Sequence, residues 1–100
     1  VTEAKDSKQK ALRMLAEKEF YIADFYFIRD KYESALGRFE DLLSKYPKSG
    51  IDAKALYGAA VSAFKIKELG KAKTYYQRLA TEFKDSREAE KARRELGNNI

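Results

Sequence analysis

The chain contains no cysteine and no histidine, one proline, and five glycines scattered through 100 residues. Without cysteine there are no disulfides and no thiolate metal sites; a cysteine-free chain suits reducing and oxidising compartments equally, so this absence does not place it. Without histidine the usual general base is missing, together with a principal metal ligand. The glycines at 37, 50, 58, 70 and 97 are isolated, which excludes a glycine-rich phosphate loop. The remaining acids are poorly placed for catalysis. Glu17 and Glu19 fall on different helix faces, and Asp24 has no second acid three or four residues away. Ser44-Lys45 lies at a loop edge, without the burial a base needs. These absences point away from an enzyme and predict no cofactor and no metal. No apolar run reaches the roughly 18 residues of a membrane span, and no signal-peptide pattern is visible. The first residue is Val1, not Met, so the chain reads as a processed or excised piece of a longer one.

What is present is mostly charge and apolar surface in helical spacing. Twenty-one basic and 16 acidic residues leave a net charge of +5, a mild excess that favours acidic partners. Lys5, Lys8, Lys10 and Arg13 make one end basic, and Arg87, Lys91, Arg93 and Arg94 the other. Glu3, Asp6, Glu88, Glu90 and Glu95 interleave with them, so the surface repels phosphate nearly as much as it attracts it, and nucleic acid is not an expected partner.

The chain also repeats itself. A shift of 37 positions lays Ala35, Phe39, Leu42, Tyr46 and Ser49 onto Ala72, Tyr76, Leu79, Phe83 and Ser86. A small residue, then an aromatic four on, an aliphatic three on and an aromatic four on is one helix face written twice. Periods of this size belong to stacked helix pairs, because a single pair cannot bury its own apolar face. Holding another protein is the usual work of such a stack.

Punctuation places the elements. Asp6 or Ser7 can cap a first helix running to about Arg29, and the turn at Asp30-Lys31 leads into a second from about Tyr32 to Lys45. Pro47 ends it. Ser49 with Asp52 gives a weak capping signal for a helix to about Lys67, followed by another from about Leu69 to Phe83. Asp85 with Glu88 gives the same signal for a last helix, from about Ser86 to Leu96, ending at Gly97-Asn98-Asn99 in residues that tolerate left-handed backbone. No segment alternates long enough for a sheet. The expected fold is all-α, with about five helices in one domain over 1–100: repeat one at about 7–46, repeat two at about 51–84, and a capping helix at about 86–97.

The spacing predicts a stripe of Leu12, Leu15 or Ala16, Ile22 or Ala23, and Tyr26 against Ala35, Phe39 and Leu42. Leu56, Ala59, Ala60 and Ala63 should face Ala72, Tyr76 and Leu79 in the second pair, and Ala89, Ala92 and Leu96 line the last helix. Phe20, Tyr21, Phe25, Tyr26 and Phe27 cover more than half the first helix's circumference. Either they pack in the core and on repeats upstream, or part of the cluster opens on a peptide groove through Phe20, Asp24 and Phe27. By repetition that groove would continue through Tyr57, Val61 and Phe64.

Ala35, Phe39, Leu42 and Pro47, with Tyr26 nine before Ala35, resemble the second helix and closing proline of a tetratricopeptide repeat. The second copy departs from that pattern: Lys84 stands where proline is usual, and Ala63 takes the aromatic position with Phe64 beside it. The stretch from Leu15 to Arg29, with Tyr32-Glu33-Ser34-Ala35-Leu36 and Arg38-Phe39 after it, resembles more closely the C-terminal half of the BamD family of outer-membrane assembly lipoproteins. The likeness spans roughly residues 8 to 96, and the Leu56-Tyr57 through Ala72 pattern is shared with periplasmic repeat proteins of the Tol-Pal coordinator type.

The resemblance implies a scaffold on the periplasmic face of the bacterial outer membrane, tethered by a lipidated cysteine N-terminal to this segment. Its implied partners are the polypeptide-transport-associated domain of the central β-barrel assembly protein and other assembly lipoproteins. The interface residues it implies are Arg38, with Arg29 and Tyr32 beside it. In that family an arginine early in the repeat helix pairs with a partner glutamate, a role that suits the planar guanidinium fork. Spacing alone leaves open that Arg38 is an ordinary exposed arginine pairing with Glu40 or Asp41. The groove residues imply a second possibility, a peptide-capturing module of the coordinator type.

Overall fold

The computed structural model describes the backbone of residues 2–99 and the side chains of residues 8–99. Five helices follow one another, with no strand among the described residues: α1 (Thr2–Phe27), α2 (Tyr32–Lys45), α3 (Asp52–Lys65), α4 (Leu69–Glu82) and α5 (Arg87–Leu96). They pair into two antiparallel hairpins, α1 with α2 and α3 with α4. The second hairpin stacks on the first chiefly through α3 against α2, and α5 closes over α3 and α4. The result is a short helical-repeat stack of 47 × 26 × 19 Å. At about 1.5 Å per residue, α1 spans about 39 Å and sets the long dimension.

The period reaches into the turns. Asp30 (φ 61°) and Lys67 (φ 66°) both adopt left-handed backbone. Around them, Lys31 N–H donates to Tyr26 C=O at 2.9 Å and Asp30 N–H to Phe27 C=O at 3.1 Å. One period later Glu68 N–H donates to Ala63 C=O at 2.8 Å and Lys67 N–H to Phe64 C=O at 3.1 Å. This is the crossed pair of bonds that ends a helix on a left-handed residue, so each hairpin closes by the same device. α1 and α3 therefore stop at Phe27 and Lys65, two residues short of the sequence expectation.

Capping differs from the expected pattern in four places. At α1 the backbone is already helical at Thr2, upstream of Asp6 and Ser7, whose side chains lie outside the described residues. At α3 the Ser49 hydroxyl does not cap the helix. Asp52, inside the first turn, accepts from Lys48 N–H at 2.9 Å and Gly50 N–H at 3.3 Å, tying down the loop before it. At α5 the cap is Ser86, one residue after the expected Asp85; its Oγ accepts from Ala89 N–H at 3.0 Å and donates to Phe83 C=O at 2.7 Å. Gly97 is right-handed (φ −55°), so α5 ends without the left-handed residue its Gly-Asn-Asn tail suggests.

Packing resolves the alternatives on α1. Ala16 and Ala23, seven apart, are fully buried, whereas Leu15 is exposed and Ile22 half-buried. Small residues in the seam let α1 and α2 approach closely, and the bulk comes from Phe20 and Phe27, whose rings lie 5.7 and 6.0 Å from Phe39. Ala35, Phe39 and Leu42 of α2 and Ala72 and Leu79 of α4 are buried, while Tyr76 is only half-buried. Ala55, Ala59 and Ala63 of α3 share a cluster with α2, and Leu56 and Leu79 pack with Ala89 and Ala92 of α5.

Candidate functional site

The first helix of each hairpin, with α5 beside them, makes the concave face. Between α1, α3 and α5 it encloses a cavity of about 250 Å³. Phe20 and Phe27 come from α1 and Tyr57 from α3, and Phe39 of α2 reaches through from behind as the floor. Phe20 and Tyr57 are one period apart, so the repeat itself delivers rings to equivalent sites on adjacent helices. Lys54, Arg87 and Lys91 stand at the rim, with Asp24 and Glu88 beside them. Lys91 Nζ sits 4.9 Å from the Tyr57 ring centroid, and the Tyr57 hydroxyl donates to Glu95 Oε2 at 2.7 Å. Burial pushes the Tyr57 phenol up, and the Glu95 carboxylate adds to the shift. The hydroxyl therefore stays a donor and fixes α5 to α3.

The adjacent face of α1 carries a second surface, joined to the groove by Ile28, which also lines the cavity. Met14, Tyr21 and Ile28, seven apart, and Phe25 form an exposed stripe, with Tyr21 81% accessible. Tyr21 and Phe25 stand one period before Gly58 and Ser62, which are buried in α3 as it stacks on α2. α1 thus presents large side chains at the register where the next repeat uses small ones to bury itself. The Arg29 guanidinium lies 3.6 Å from the Phe25 centroid, with Nη1 donating to Phe25 C=O at 2.9 Å. Phe25 meets Tyr26 edge-on at 5.4 Å, and the Arg38 guanidinium stands 5.7 Å from the Tyr26 centroid. Two cations and two rings make one continuous row.

Of the residues expected at the partner interface, Arg29 and Arg38 belong to this row, and Tyr32 does not. Tyr32 turns to the groove end, its ring 5.7 Å from Phe27 and its hydroxyl donating to Asp30 Oδ1 at 2.9 Å. Six residues separate it from Arg38, which on a helix is roughly 120° of rotation. Among the described residues no carboxylate pairs with Arg38, so the local pairing with Glu40 or Asp41 is not formed. Glu40 is engaged across the stack instead, accepting from the Tyr75 hydroxyl and lying 3.4 Å from Lys71 Nζ.

Of the groove residues, Phe20, Asp24, Phe27 and Tyr57 line the cavity together, and Val61 and Phe64 lie outside it. Val61 is buried with Ala60 and Leu96, under α5, and Phe64 packs half-buried against the core clusters. The groove is therefore shorter than the repetition suggested, because α5 fills its second half. The rim cations were missed by the sequence reading. The signal was present: Lys54 and Lys91 are one period apart, at equivalent places on α3 and α5.

Residues 2–56 match the family described as outer membrane lipoprotein, and residues 54–86 match a tetratricopeptide repeat. No curated protein matches the chain, and no solved structure does. Both matched families are protein-interaction scaffolds.

Proposed function

We propose that this chain, which belongs to the outer membrane lipoprotein family, is a non-catalytic scaffold subunit of the machinery that assembles β-barrel proteins at the periplasmic face of the outer membrane. Its partner in this reading is the polypeptide-transport-associated domain of the central assembly protein. The observation that carries it is Arg38: exposed, free of any intramolecular carboxylate among the described residues, and in a row with Tyr26, Phe25 and Arg29. Rings on one side hold a guanidinium's position while its donors stay available to a carboxylate on the partner. Removing a desolvated interfacial arginine costs about 2 to 5 kcal/mol, whereas losing a rim pair costs under about 1 kcal/mol. A calorimetric titration with the soluble transport-associated domain should therefore show Arg38→Glu binding at least about thirtyfold more weakly than wild type. Equal affinity of the two proteins, or no binding by wild type, overturns the assignment.

A second reading, a peptide-binding module of the Tol-Pal coordinator type, is favoured by a separate observation, the ring-floored cavity on the concave face. The two surfaces lie on different sides of α1, so variants separate them. Arg38→Glu should leave peptide binding intact, and Lys91→Glu should leave domain binding intact.

A further inference from the structure

The cavity is smaller than the roughly 300 to 1,000 Å³ that takes a drug-sized ligand, and matches one bulky side chain presented by a chain lying across it. Its rim is selective in charge. Lys54, Arg87 and Lys91 are exposed, and none forms an ion pair among the described residues. The acids there, Asp24 and Glu88, are half-buried on the walls. Lys54 and Lys91 are repeat equivalents on adjacent helices, so a strand crossing α3 and α5 meets a cation at each crossing. Phe20 and Tyr57 repeat in the same way, putting apolar contact beside the cations rather than apart from them.

We infer that the concave face takes an acidic peptide segment of a partner protein, with one aromatic side chain of that segment seated among Phe20, Phe27, Phe39 and Tyr57. Carboxylates flanking the anchor meet Lys54, Arg87 and Lys91. The ring supplies burial, and the cations supply register and discriminate against basic segments. This rests on the peptide-binding reading of the groove and adds the chemistry of what fills it.

The test uses the whole chain and fluorescent peptides built from aspartate, glutamate and glycine around one tryptophan. Matched peptides carry alanine for tryptophan, glutamine and asparagine for the acids, or lysine for the acids. The acidic tryptophan peptide should bind; its alanine and lysine versions should each bind about tenfold more weakly or worse. Lys54→Glu and Lys91→Glu, both at exposed positions, should each weaken the acidic peptide by a similar factor, and added salt should weaken it further. If the neutral and basic tryptophan peptides bind as well as the acidic one and Tyr57→Ala weakens all three, the groove binds peptides but the charge assignment is wrong. If no peptide binds, or binding ignores both Tyr57→Ala and Lys91→Glu, the peptide-binding reading itself fails.

Discussion

The Phe39 ring lies so close to Gly58 that a Cβ added there would fall 2.4 Å from its Cζ. α3 can pass over α2 at this distance only because residue 58 has no side chain. The ring also packs against Phe20 and Phe27, at 5.7 and 6.0 Å. One aromatic residue is thus both the spacer between the two hairpins and the floor of the cavity, which links the stacking geometry to whatever the concave face binds.

Gly58→Ala tests that link. Alanine in place of a helical glycine gains about 1 kcal/mol of propensity, and overpacking a filled core costs about 1 to 3 kcal/mol. Because the ring is buried and already packed against Phe20 and Phe27, the cost should win, lowering stability by about 1 kcal/mol in urea unfolding. An unchanged or raised midpoint would show that Phe39 can shift.

Left-handed backbone at Lys67 offers a stabilising change. A residue with a Cβ in that region carries about 1 to 2 kcal/mol of strain, against which glycine's extra freedom in the unfolded chain costs about 0.5 to 1 kcal/mol. Lys67→Gly should raise stability by up to about 1 kcal/mol. Asp30→Gly at the equivalent turn should gain less, since aspartate tolerates this region and its carboxylate accepts from the Tyr32 hydroxyl. Equal gains at the two turns would mean that the side chain at 30 contributes nothing.

Much of this architecture was readable from spacing. The duplicated pattern of Ala35, Phe39 and Leu42 on Ala72, Tyr76 and Leu79 identified the second helix of each pair, and the isolated Pro47 located the join. Choices between neighbours were not readable, such as Ala16 over Leu15 or Ala23 over Ile22, because helical period gives an angle and not the distance to the next helix. The family resemblance grouped Tyr32 with Arg38, and the helix rotates them onto different surfaces. The cationic rim escaped for the opposite reason. Lys54 and Lys91 read as ordinary solvated lysines until α5 is seen to stack beside α3 in the same register.

Two tyrosines predict how the stack behaves in alkali. Tyr57 donates to Glu95 and Tyr75 to Glu40, and burial, with the carboxylate beside each, raises both phenols above the ordinary value of 10.0. The folded state therefore holds these protons at pH values where the unfolded chain has released them. Their contribution to stability is full below about pH 10 and is lost as pH rises beyond it. Urea midpoints measured from about pH 9 to about pH 11 should fall, and the double variant Tyr57→Phe, Tyr75→Phe should flatten that slope. A variant as pH-sensitive as wild type would place the alkaline loss elsewhere.

Ser86→Ala ties a helix cap to the binding face. Ser86 alone among the helix-capping residues α2 to α5 start from accepts a bond through its side chain, from Ala89 N–H at 3.0 Å, and it starts the shortest helix, of ten residues. Losing such a cap costs about 1 kcal/mol, a large part of what holds a short terminal helix whose seam is Ala89, Ala92 and Leu96. Arg87, Glu88 and Lys91 reach the cavity from the first turns of this helix, directly after the lost cap. Ser86→Ala should therefore speed amide hydrogen exchange in α5 while α1 to α4 keep their protection, and should weaken the acidic peptide without changing affinity for the transport-associated domain. Exchange that speeds up throughout the stack would mean that α5 unfolds only with the hairpins, and that its wall of the groove is as rigid as the rest.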